Sequence, residues 1–378
     1  MILYRTLSSI KRIYLILPII ILVFGIFSCS KAPIRQEGPP PPPPPVTDTS
    51  HRGVYVINEG NFNWGNSSVT YIDLTDSVIA KDVFKSINDR GLGDVAEGMK
   101  IFNGKGFIVV NNSNKIEVVS LPSFKSVKTI TGFNSPRAIE FIDSSKAYVT
   151  NLLKDISIVD LKSLTITKTI SMPDWTEGII RYKHWVFVTC VGQYTEPNSM
   201  RKAKLIVIDS DVDKIVDSIA SGKEPVGIVL DKREKIWVLC TGGFDNYEAP
   251  TLIRINPDLM IAEKIFTFPN INDAPSRLCI NSLGDTLYFL KDGIFQMPVT
   301  SSAIPGTPFI PSNGHLFYGL GIDPANGNIF VTDAIDFAQN GWVYRYNQLT
   351  GALLNSYSAE RIPGSFCFPK QVAAGKKK

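Results

Sequence analysis

The sequence predicts an all-β fold, a seven-bladed β-propeller. Three observations predict it: a repeat, four strand-length runs in each copy, and a partial copy at each end that the other completes. From about residue 53, short β-rich runs alternate with Gly, Pro, Asn and Asp turns, and no helical period emerges. One copy opens with Ser135-Pro136-Arg137-Ala138-Ile139, continues through Lys146 to Asn151 and Ile156 to Asp160, and closes on Thr165 to Ile170. The same order recurs from Ala96-Glu97-Gly98-Met99, from Glu177-Gly178-Ile179 and from Pro225-Val226-Gly227-Ile228. Weaker copies start at Pro275-Ser276-Arg277-Leu278 and at Tyr318-Gly319-Leu320-Gly321. A period of roughly 40–50 residues with four strands per unit is that of a propeller blade. A seven-strand sandwich, the alternative, gives no reason for so long a repeat.

The ends supply the seventh blade. Val54 to Asn58, Ser68 to Asp73 and Val78 to Phe84 are three strands without a first one. Ile362-Pro363-Gly364-Ser365-Phe366-Cys367-Phe368 is a first strand without the others. Joined, they close the ring and hide edges that would otherwise promote aggregation. The propeller is expected over 53–369, followed by a basic tail, 370–378, that ends Lys376-Lys377-Lys378.

The front of the chain reads as an address. Residues 1–12 are basic, and Ile13 to Phe27 are almost wholly apolar. That run falls short of the ~20 residues a helix needs to cross a bilayer, so it reads as a secretory signal over 1–28. It ends in Ile26-Phe27-Ser28-Cys29, which resembles a bacterial lipoprotein cleavage box with Cys29 as the acylated anchor. An uncleaved N-terminal anchor is the alternative, and either keeps the domain at a membrane outside the cytoplasm. Several acyl chains on one cysteine make such an attachment stable. Residues 29–52 read as a tether. The run Pro39 to Pro45 favours an extended polyproline helix of about 3.1 Å per residue.

Composition narrows the chemistry. The formal charge is +4, but Arg5, Lys11 and Arg12 belong to the export signal, and without them the chain is almost neutral. No basic surface speaks for nucleic acid. Three histidines, no CxxC pair and no ligand-spaced His/Cys set give no support to a zinc site. Cys190, Cys240, Cys279 and Cys367 lie on strands without tight spacing, as buried thiols do more often than disulfides.

In a four-stranded blade, the loop between second and third strands and the loop to the next blade emerge on one face. Sorted this way, that face collects Asn58, Glu59, Asn61, Phe62 and Trp64, then Asn111, Asn112 and Asn151, then Tyr194, Phe244 and Tyr247, then Asp333 and Asp336. The blade connections add Arg137, Trp175, Glu177, Arg277 and Tyr318. The opposite turns are short and plain, such as Asn103-Gly104 and Asn326-Gly327. Amides offer donor and acceptor together, and aromatics add flat apolar contact with a polar rim. Such a face suits a large, uncharged, multiply hydrogen-bonding ligand. The competing account of each asparagine is a turn residue bonding its own backbone. Glu97 and Glu177 hold matching positions near the channel with Arg137 between them, either as solvated channel residues or as a calcium or acid–base pair. His315 lies in a loop of the same face.

Two resemblances follow. Tyr148-Val149-Thr150-Asn151 is similar to the repeat of the YVTN class of seven-bladed bacterial propellers, which concerns fold rather than function. The second spans Val54 to Phe368. It rests on Asn58-Glu59-Gly60-Asn61-Phe62, Leu92-Gly93-Asp94-Val95-Ala96, Val109-Val110-Asn111-Asn112-Ser113 and Thr131-Gly132-Phe133-Asn134-Ser135-Pro136-Arg137. Tyr247-Glu248-Ala249-Pro250, Asp333-Ala334-Ile335-Asp336-Phe337 and Ile362 to Cys367 complete it. These resemble the cobalamin-capturing surface lipoproteins of Bacteroides-type bacteria. The resemblance implies a lid over an outer-membrane, TonB-dependent vitamin B12 transporter, with a corrinoid as bound ligand and no catalytic cofactor. Arg137 or Arg277 would then meet the ligand's phosphate. Two departures stand out: no acidic export signal follows Cys29, which leaves a periplasm-facing position open, and residues 192–202 carry Arg201 and Lys202 beside Lys204. An adhesion or scaffold propeller and a calcium-dependent lactonase-like hydrolase are the rival functions.

Overall fold

A computed structural model describes residues 52–153, 155–191, 203–243 and 248–369. Second strands such as Lys105–Val110 and Lys146–Asn151 are buried along almost their whole length, whereas the outermost strand Lys214–Ala220 is largely exposed. This gradient explains the sequence. A strand sandwiched by neighbours on both faces reads as a continuous apolar run, and an outer strand does not.

The strands form seven four-stranded antiparallel sheets. Their innermost strands are Ala96–Phe102, Pro136–Phe141, Trp175–Tyr182, Pro225–Leu230, Ser276–Ile280, Phe317–Ile322 and Pro363–Cys367. Side chains pack between blades: Tyr148, Ile156 and Ile158 of one meet Ile179, Val186 and Val188 of the next. Ion pairs add polar ties between blades. Lys146 reaches Asp213 at 2.8 Å, Lys232 reaches Asp285 at 2.9 Å, and Lys100 pairs with Glu140. Exposed pairs of this kind contribute at most about 1 kcal/mol each, so they align neighbouring blades more than they hold them. No helix among the described residues is long and apolar enough to cross a membrane.

The closing blade joins both ends of the domain. Pro363–Cys367 pairs antiparallel with Gly53–Asn58, which pairs in turn with Ser68–Asp73 and then Ile79–Ala80. The expected strand from Val78 to Phe84 is the one correction: only Ile79–Ala80 is extended, and Val83–Asn88 is a short α-helix. Asp82 caps it by accepting from the Lys85 N–H at 3.3 Å. Val83, Phe84 and Ile87 then sit at helical spacing, the first two buried against Tyr55 and Tyr71. The four strand cysteines are free thiols, and Cys190, Cys240 and Cys367 are buried.

Each innermost strand is broken by a register shift at the same place. The shifts fall at Glu97, Arg137, Glu177-Gly178, Val226, Arg277-Leu278, Tyr318-Gly319 and Gly364. A bulge bends its strand and re-aims a side chain. In three blades a buried threonine of the second strand takes the N–H the bulge leaves free: Thr150 from Ala138 at 3.0 Å, Thr189 from Gly178 at 2.8 Å, Thr332 from Gly319 at 2.6 Å. Thr332 also donates to the Pro363 carbonyl at 2.6 Å, across the junction that closes the ring. Thr332→Val preserves shape but strands both groups in the interior. It is expected to destabilise the fold by about 2–4 kcal/mol, measured by urea denaturation, and a neutral result would contradict this account of the junction.

Candidate functional site

The seven bulges converge at the upper mouth of the channel, where each first strand begins. Six contribute Glu97, Arg137, Glu177, Val226, Arg277 and Tyr318. The seventh, Gly364, has no side chain, and Glu59 from the loop after Gly53–Asn58 fills its place. A Cβ on Gly364 would come within 2.4 Å of Glu59 Oε1.

The polar members satisfy one another. Arg137 donates from Nε to Glu177 Oε2 at 2.8 Å and from Nη1 to Glu97. Arg277 donates from Nη2 to Glu59 Oε1 at 3.3 Å and from Nε to the Tyr318 carbonyl at 2.9 Å, with its guanidinium 4.6 Å above the Tyr318 ring. The Tyr318 hydroxyl donates to Glu59 Oε2 at 2.8 Å. Burial pushes Glu97 up to about 7. Arg137 opposes the shift, and the carboxylates of Glu59 and Glu177 add to it. Burial works against the charge of Arg137, but Glu177 and Glu97 outweigh it and hold the guanidinium above its ordinary range. Burial, then Glu59, also raises Tyr318. The mouth is thus a closed set of ion pairs with little net charge.

Outside this ring, the predicted residues divide into two groups. Asn58, Asn111 and Asn151 are buried and their amides are committed: Asn58 to Ser68 at 3.1 Å and Thr70 at 3.0 Å, Asn111 to the Pro136 carbonyl at 3.0 Å, Asn151 to Ser157 at 2.9 Å. Asp336 accepts from the backbone of Ala338 and Gln339 at 2.9 and 2.8 Å and from the Gln339 amide, which together hold its carboxyl down to about 2. These four build loops. Asp333, also buried, anchors His315.

The second group is displayed. Phe62 and Trp64 are 56% and 70% exposed, on a loop that is nonetheless fixed. Asn66 accepts from the Asn61 N–H at 2.8 Å, and Trp64 N–H donates to the Asn61 carbonyl at 3.1 Å. Asn61 reaches across to the Phe337 carbonyl at 2.7 Å, and Asn112 bridges Asn63 at 3.0 Å and Asp94 at 2.7 Å. Trp175 is only half-buried, but its indole N–H points inward and is buried, with no hydrogen-bond partner among the described residues. Phe337, absent from the expected set, packs edge-on to Tyr318 at 5.3 Å. Its signal lay in the quoted loop Asp333 to Phe337. Cys29, Tyr194, Phe244 and Tyr247 lie outside the described residues, as do the export signal, the proline stalk and the basic tail. Among the described residues, no group of three or more His, Cys, Asp or Glu side chains is arranged to hold a metal ion.

The position of Glu97 makes stability depend on pH. Between the ordinary glutamate range and about pH 7, folded Glu97 keeps a proton that the unfolded chain has lost. Its contribution is therefore full at low pH and lost as the pH rises through that window. Relative to Glu97→Gln, the wild-type protein should lose roughly 2–3 kcal/mol between about pH 5 and pH 8. Denaturation curves for both proteins across that range measure it, and a difference independent of pH would contradict the assignment.

Comparison with known proteins agrees with this architecture. A quinoprotein alcohol dehydrogenase-like protein from Bacteroides thetaiotaomicron superposes with a TM-score of 0.66 at 17% identity, over 85% of this chain and 78% of that one. A Bacteroides fragilis protein named for a proposed 6-phosphogluconolactonase activity gives 0.60 at 10% identity, over 86% of this chain and 100% of that one. A functionally unknown protein from Desulfotomaculum acetoxidans gives 0.59 at 14%, over 84% and 98%. At such identities the likeness concerns fold alone. No match is found among curated protein sequences. Residues 52–372 match the family described as "Domain of unknown function (DUF5074)", and the chain belongs to that family.

Proposed function

We propose that this chain is a lipid-anchored extracytoplasmic binder that captures cobalamin or a related corrinoid and passes it to an outer-membrane transporter. The observation that carries the reading is the rigid display of Phe62 and Trp64 on the upper face. Large aromatics held in water by a pre-ordered loop are costly to leave idle and favourable to cover. Because the loop is already ordered, binding forfeits little conformational entropy. A corrin ring is broad and apolar-faced with a rim of amide groups. The two aromatics would meet its face, while the side-chain oxygen of Asn112, left over after its N–H groups bridge Asn63 and Asp94, would address its rim.

The channel mouth supports binding over hydrolysis. A calcium site or an acid–base pair needs Glu97 and Glu177 available, and Arg137 holds both. The same pairing means that Arg137 and Arg277 meet a ligand phosphate only by sharing their guanidiniums with Glu177, Glu97 and Glu59.

A scaffold function draws on a different surface. An open groove of about 570 Å³ runs along the outer rim between the blades whose innermost strands are Pro136–Phe141 and Trp175–Tyr182, lined by Met172, Pro173, Ile206, Ile215 and Val216 among others. It is apolar enough to meet a protein, and its Met172 and Pro173 belong to the blade connection before Trp175, away from the loop bearing Phe62 and Trp64.

Calorimetric titration of the full-length protein with cyanocobalamin and cobinamide separates the two readings. Capture predicts sub-micromolar binding that weakens at least tenfold, about 1.4 kcal/mol, in Trp64→Ala. No heat with either corrinoid would overturn the capture reading.

A further inference from the structure

His315 stands apart from the rest of the upper face. It closes a tight turn, donating its N–H to the Ser312 carbonyl at 2.9 Å, with Asn313 and Gly314 both in the left-handed region. Its ring is held as firmly. Nδ1 lies 2.8 Å from Asp333 Oδ2, and Asp333 Oδ1 already accepts from the N–H groups of Leu316 at 3.1 Å and Ile335 at 2.9 Å. Phe317 stacks parallel to the ring with centroids 5.9 Å apart, and Tyr344 packs against it at 4.8 Å.

The protonation follows from the partner. A carboxylate that accepts from Nδ1 requires the proton to sit there, so the neutral ring carries its lone pair on Nε2. Nε2 has no partner among the described residues, and the side chain is 40% exposed. The neighbouring blade, whose innermost strand is Ser276–Ile280, joins its second and third strands through residues 291–292 alone, against 334–339 in the blade that bears Asp333. The rim is therefore low beside His315. An imidazole whose far nitrogen is pinned by a buried carboxylate is the form in which histidine binds metals.

We infer that His315 is an axial ligand for the cobalt of the captured corrinoid. The inference rests on the capture reading. In the step, the Nε2 lone pair forms the cobalt–nitrogen bond, a cobalt-bound water leaves with its electron pair, and the metal keeps its oxidation state. Asp333 acts as a positioning residue that fixes tautomer and ring plane.

The test uses the full-length protein and cobinamide, which has no nucleotide base of its own. Electron paramagnetic resonance of bound cob(II)inamide should show each high-field cobalt line split into three by one nitrogen. Incorporation of ¹⁵N-histidine should turn the three into two. His315→Gln should abolish the splitting, whereas His184→Gln, altered in a turn on the opposite face, should keep it. In parallel, the wild-type protein should bind aquocobinamide at least tenfold more tightly than dicyanocobinamide, whose axial positions are filled. That preference should vanish in His315→Gln.

Binding without nitrogen splitting, or splitting that survives His315→Gln, overturns the ligation and leaves capture standing. If the variant fails to fold, an unchanged three-line pattern in the ¹⁵N-histidine protein overturns it equally. No binding of any corrinoid removes both.

Discussion

Everything at the upper face depends on the bulge repeated at the head of each innermost strand. Seven wedge-shaped sheets converge on one axis, and a regular strand there would alternate its side chains between the two flanking blades. The extra residue turns one side chain per blade toward the channel, and threonine hydroxyls satisfy the backbone it leaves free. Ring and fold are thus one construction. Arg137 reaches both Glu97 and Glu177 because three successive blades each place a single residue at the same height.

The ring is completed at its joint. Gly364 provides a gap, Glu59 enters it, and the loop that carries Glu59 continues directly into Asn61, Phe62 and Trp64. Closure by the C-terminal strand therefore also sets the stance of the exposed aromatics. Asn61 ties that loop to Phe337 of the blade whose innermost strand is Phe317–Ile322, so the display spans the contact between the closing blade and the one before it. A binder built there gains rigidity from the contact that closes the propeller.

Much of this was legible because the repeat carries positional meaning. Aligning Glu97, Arg137, Glu177, Arg277 and Tyr318 by repeat places them at one level before any coordinates are known. Four matters were not legible. Phe84 belongs to a helix because a three-residue apolar spacing outweighed β-rich composition in a segment with few strand partners. The asparagines look alike in sequence, yet Asn58, Asn111 and Asn151 are buried while Asn112 is not, since burial depends on which loop crosses above each. The pairing of Glu59 with Arg277 joins residues 218 apart in the sequence, and no local pattern encodes it. His315 had only its loop position to mark it, and the carboxylate that gives it character lies two strands on, at the end of Ile329–Asp333.

Capture as proposed holds the ligand on the upper face, between the loop bearing Trp64 and the loops of the blade whose innermost strand is Phe317–Ile322. Hydrogen–deuterium exchange with and without cyanocobalamin tests it most directly. The account predicts slowed exchange in 59–67, 312–316 and 334–339, with the lower turns at 103–104, 144–145 and 326–327 unchanged. Protection confined to the lower turns, or to the rim formed by 171–173 and 215–218, would contradict it.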